Sequence, residues 1–134
     1  MAYDETLRTI SLDSDASIGF YTGVPGARGS LDPNGGMQYH FVDITGPHQA
    51  GLVTAVGGDS VGVLQNKPQY AGEAATVAIA GATLLVASGT LTAGDKVQAT
   101  ATGAGILATT GQVLGKVIIG APSGALATVL LRVN

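Results

Sequence analysis

The chain has no cysteine and no tryptophan, and only 11% of its 134 residues are charged. Without cysteine, disulfides and cysteine-based zinc sites are excluded. An average soluble domain is about 25% charged. The low value leaves little charged surface to keep an isolated domain in solution, so some neutral surface is expected to be covered by a partner. Basic residues are scarcest, six Lys and Arg against nine Asp and Glu, for a net charge of −3 and a pI near 5.0. That balance argues against a nucleic-acid footprint. No stretch reaches the roughly 18 apolar residues of a membrane span. The longest candidate, 74–87, is broken by Thr and Gly, so no membrane partner is expected. Asp4 and Glu5 stand where a signal peptide needs basic and then apolar residues, so synthesis in the cytosol without export is expected.

What the chain does hold is glycine and small aliphatics. It has 21 Gly, 46% apolar residues and a mean hydropathy of +0.37. That is enough apolar surface to fold, and the length fits one domain or a domain plus an arm. The composition shifts along the chain. Tyr3, Phe20, Tyr21, Tyr39 and Phe41 precede position 42, and only Tyr70 follows. Residues 23–36 contain Pro25, Gly26, Gly29, Pro33, Asn34, Gly35 and Gly36, which marks a loop. We therefore divide the sequence into an N-terminal arm and Gly/Pro-rich loop, 1–36, and a β-barrel body, 37–134. A competing reading makes 7–12 a barrel strand with Ile10 and Leu12 facing inward.

The body reads as short strands at 37–44, 52–56, 61–65, 74–80, 82–87, 95–100, 112–119 and 125–133, with glycines between them. No segment sustains a capped 3.6-residue period. The expected fold is all-β, a small antiparallel β-barrel or sandwich. Alanine-rich strands suit a narrow barrel. An internal echo joins Gly62-Val63-Leu64, Pro68 and Gly72 to Val77 with Gly115-Lys116-Val117, Pro122 and Gly124 to Val129, with equal Gly-to-Thr-Val spacing in both copies. Duplication and chance in so Ala- and Val-rich a chain both fit.

Motifs that carry chemistry fail on context. Gly58-Asp59-Ser60-Val61-Gly62 has nucleophile-elbow spacing, but a strand follows it and both His40 and His48 come earlier. The glycines at 103–108 mimic a dinucleotide fingerprint with no room for the helix before Gly111, and a hairpin turn is expected there. Gly111 to Lys116 lacks the hydroxyl residue after the lysine of a phosphate loop. Asp13-Ser14-Asp15 would start a calcium loop, but its twelfth position is Val24 rather than Glu. His40 and His48 have no third metal ligand. No enzyme activity, catalytic residue, metal or cofactor is expected.

Three stretches carry a resemblance: Gln38-Tyr39-His40-Phe41-Val42-Asp43, Gly62-Val63-Leu64-Gln65-Asn66-Lys67-Pro68, and Ala71-Gly72-Glu73-Ala74-Ala75-Thr76-Val77-Ala78-Ile79-Ala80-Gly81. With Ala87 to Val97 and Val113 to Val117, they resemble the capsid decoration (cement) proteins of tailed bacteriophages, over about 37–134. Asp43 departs from the family pattern, where a basic or neutral residue is usual, and the N-terminal segment is longer. The resemblance implies a structural virion protein on the outer capsid surface, made in the host cytoplasm. It would be a homotrimer bridging neighbouring major capsid protein subunits. Tyr3, Phe20, Tyr21, Tyr39 and Phe41 are the candidate capsid or partner contacts, because aromatics bury large areas at modest entropy cost. The alternative is a head-fibre-type binding module for a host surface or glycan, with the same aromatics as its platform. A barrel-sandwich enzyme or carrier domain would use the Gly94-Asp95-Lys96-Val97 turn, but no modified-lysine hairpin is evident.

Overall fold

The computed structural model describes residues 7–18 and 37–131. They form an all-β structure with no helix. The strands are β1 (Arg8–Ser14), β2 (Phe41–Gly46), β3 (Gln49–Leu52), β4 (Gly62–Leu64), β5 (Ala74–Val86), β6 (Lys96–Ala99), β7 (Gly105–Leu107), β8 (Gly115–Ile119) and β9 (Leu126–Leu131). Five of them close into a barrel in the order β1-β3-β2-β4-β5, with β5 returning to β1. All of its pairings are antiparallel except β1 with β3. A second sheet continues from β5 in the order β5-β9-β8-β6-β7. A parallel bridge from Ala87 to Gly105 brings β7 back towards the end of β5.

β5 belongs to both sheets. Its first half pairs with β1 and β4, and from Gly81 onward it pairs with β9. The sequence pattern suggests two strands flanking Gly81. The structure makes one 13-residue strand that changes partners there. Gly81 has φ 94°, where a residue with a Cβ is strained. The glycine therefore turns the strand from one sheet into the next instead of ending it.

The core follows from strand alternation. On β2 and β4, Phe41 and Val63 pair and face one cluster, while Val42 and Leu64 face another. The first cluster also holds Leu85, Val97, Val117 and Val129, so it joins the barrel to the second sheet. The other cluster, with Leu12, Ile18, Met37, Ala50, Ala75 and Val77, fills the barrel. Ala50 and Ala75 are fully buried within it, as a narrow barrel requires.

The sequence echo has a structural counterpart. β4 pairs with the start of β5 through Leu64 and Val77, and β8 pairs with β9 through Val117 and Val129. A Cβ on Gly62 would fall on the Ala78 carbonyl oxygen. A Cβ on Gly115 would meet the Leu130 carbonyl oxygen at 2.6 Å and a Val129 methyl at 2.8 Å. Glycine sits at the same close backbone approach in both units. Gly72 and Gly124, which open the returning strands, both have positive φ, 91° and 86°.

Three expectations need correction. The boundary at 36/37 does not separate an arm from a barrel, because Arg8–Ser14 closes the barrel. Leu12 pairs with Ala75, Ile10 pairs with Val77, and Leu12 is buried. The run 52–56 is mostly not a strand; the strand is Gln49–Leu52, whose small Ala50 and Gly51 fit between β1 and β2. The 103–108 segment is more than a turn. The chain turns at 101–103, and Gly105–Leu107 returns as β7 against β6.

Candidate functional site

The near-motifs are occupied by structural hydrogen bonds. The Ser60 hydroxyl lies 2.7 Å from the Val42 carbonyl and 2.9 Å from that of Gly62, and accepts from the Gly62 amide at 3.1 Å. It pins the turn entering β4. Asp15 accepts from the Ser17 amide and hydroxyl through Oδ1 and from Thr45 Oγ1 through Oδ2. Ser17 Oγ in turn accepts from the Leu52 amide. The acidic residue is thus a strut from the end of β1 to β2 and β3. Asp13 lies 3.7 Å from His48 Nδ1 on the exposed surface. His40 Nδ1 is 3.1 Å from the Gln38 carbonyl. A carbonyl can only accept, so that nitrogen carries the proton. Among the described residues no group of three or more His, Cys, Asp or Glu could hold a metal ion.

The proposed aromatic contacts separate. Tyr3, Phe20 and Tyr21 lie outside the described residues. Phe41 is fully buried in the core between the two sheets, so its ring is packing and not contact surface. β-Strand alternation at the start of β2 turns it inward. Tyr39 is half-buried and adopts φ 65°. Its amide donates to the Leu64 carbonyl at 2.7 Å, and its carbonyl accepts from the Val86 amide at 2.9 Å. Its backbone therefore ties the barrel to the second sheet.

The surface that stands out is the outer face of the second sheet. Outward positions on β5, β9 and β8 place Leu84, Leu126, Leu130 and Ile118 in solvent. Leu84 pairs with Thr128, and Leu130 pairs with Lys116, so the apolar side chains sit on adjacent strands. Such strands, apolar on both faces, normally occur where both faces are covered. Beyond Lys116 the next partner is Lys96, directly opposite on β6. Like charges facing each other across strands are unfavourable. Among the described residues neither lysine has a carboxylate within ion-pair distance.

A shallow groove of about 210 Å³ lies on the other unit. Asp43, Ile44, Thr45, Leu52, Val53 and Asp59 are among its lining residues. Ile44 is half exposed there. Asp43, Asp59, Lys96 and Lys116 fall in motifs or in the stretches that carry the resemblance, but nothing in the sequence marks any residue of these two surfaces as contact surface. The signal that could have found the sheet face is Leu126–Leu131, a strand with no charged residue.

No protein-family model and no curated protein matches the chain. Among solved structures, the chain is similar to the crystal structure of the head fiber gp8.5 N base in bacteriophage phi29. The two share 14% sequence identity, the match covers 95% of each chain, and the TM-score is 0.65. At that identity what is shared is the fold, and it extends over nearly the whole of both chains.

Proposed function

We propose that this protein is a structural component of a bacteriophage virion, bound to the exterior of the assembled head. The observation that carries the reading is the fold shared with a phage head fiber base over 95% of both chains. The sequence resemblance to decoration proteins points to the same location. In this reading the protein bridges neighbouring major capsid protein subunits as a homotrimer and acts by contact alone. It needs no catalytic group, cofactor, nucleic acid or membrane. A bridging protein works through bonds that must break before the shell ruptures. Several modest contacts per oligomer then multiply over a lattice.

Heads assembled with and without the protein provide the test, heated while DNA release is followed with an intercalating dye. Decorated heads should release DNA at a higher temperature. Equal release temperatures would remove the bridging role. A failure to assemble without it would make it an integral shell component instead.

A second reading is a head-fibre-type module that binds a host surface or glycan. The neighbour is itself a head fiber base, and that is the part of this reading it supports. Binding to isolated heads without binding to host envelopes would support the bridging reading, and the reverse would support this one.

A further inference from the structure

The two units of the fold carry opposite charge. Among the described residues, the barrel through residue 80 has five carboxylates and two cations, while the second sheet has two lysines and one carboxylate. The lysines are not dispersed. Lys96 and Lys116 face each other across β6 and β8, both exposed, and the row continues through Leu130 on β9. A pair of like charges beside exposed leucines is poorly placed in solvent on both counts. It is well placed against a surface that combines apolar side chains with carboxylates. The Asp43–Asp59 groove is such a surface, with Ile44 half exposed and Leu52 in its lining.

We infer that the Lys96–Lys116 row and the adjoining Leu84, Leu126 and Leu130 dock into the Asp43–Asp59 groove of a second copy of this chain. The inference rests on the homotrimer in the proposed function and gives it an interface. Two different patches meet, so the contact is heterologous, head to tail. Such a contact either closes into a ring or propagates as a filament. A closed ring covers every copy of both patches, which is how a trimer would hide its apolar faces. The lysine pair then gains carboxylate neighbours, and the groove carboxylates gain cations. Opposed charges of this kind fix register and exclude other pairings. Asp43 becomes a partner of this chain's own lysines.

Charge reversal tests the pairing. Light scattering with analytical ultracentrifugation should show wild-type protein as an oligomer that dissociates as salt is raised, because exposed charges are screened. Lys96→Glu with Lys116→Glu, and separately Asp43→Lys with Asp59→Lys, should each weaken association at least about tenfold. Combining all four should restore it. Asp59 also accepts from the Ser60 amide, so circular dichroism melts must show each variant folded. Leu130→Glu, at a position already half exposed, provides a second route to a folded, weakened oligomer. An oligomer unaffected by either reversal and by Leu130→Glu would overturn this interface while leaving the trimer standing. A wild-type protein that is monomeric at all concentrations, in solution and on heads, would overturn the trimer itself.

Discussion

At the scale of single residues, the fold is most sensitive where a side chain or its absence has no substitute. Gly62 and Gly115 each sit where a Cβ would strike a carbonyl of the neighbouring strand. Gly62→Ala and Gly115→Ala should each cost about 1–3 kcal/mol in urea unfolding, because a strand must move to admit the methyl. Gly89 meets nothing within 4 Å. Gly89→Ala should therefore be neutral or gain a few tenths of a kcal/mol by restricting the unfolded chain. Gln98 is the contrasting case. It is 2% exposed, and its Oε1 accepts from the Thr109 and Gly111 amides at 3.1 and 2.9 Å. Gln98→Leu would orphan both donors, and a loss of about 2–4 kcal/mol in the same assay is expected from two unmet hydrogen bonds.

At the scale of elements, β1 and β5 decide whether the barrel closes. β1 contributes buried Leu12 and pairs with two strands, one of them parallel. Deleting residues 1–36 should therefore abolish the cooperative thermal transition and not merely weaken attachment to a head. A truncated protein that melts like the full chain would show that the barrel closes without β1. The sequence made this point only half legible. Within residues 8–14, Thr9-Ile10-Ser11-Leu12-Asp13 alternates polar and apolar residues, which is a strand pattern. The pattern says nothing about which sheet the strand joins, and the aromatic-rich surroundings pointed to an arm. β7 was missed for a related reason. Three residues, Gly-Ile-Leu, are too short to show alternation.

At the scale of the whole molecule, the barrel and the second sheet share β5 and one buried cluster, in which Phe41 and Val63 meet Leu85 and Val129. Neither unit can open without exposing that cluster. Calorimetry should accordingly give one transition with equal calorimetric and van't Hoff enthalpies. Two separable transitions would mean that the shared strand does not couple the units.

The all-β class and the scarcity of charge follow from the sequence alone, whereas the echo between 62–77 and 115–129 becomes a repeated unit only through the strand pairings. The first two depend on local composition or on spacing, which the chain carries wherever it goes. Which residues lie inside and which outside depends on partners distant in sequence. Phe41 looked like contact surface because it is aromatic and near other aromatics. Only its pairing with Val63, and the sheet stacked above, made it core. Leu130 is aliphatic in an apolar strand, and the register of β9 against Lys116 places it at an outward position. A side-chain period of two gives both faces of a strand. The tertiary structure decides which face is covered, because burial is a property of the neighbours a residue meets and not of the residue.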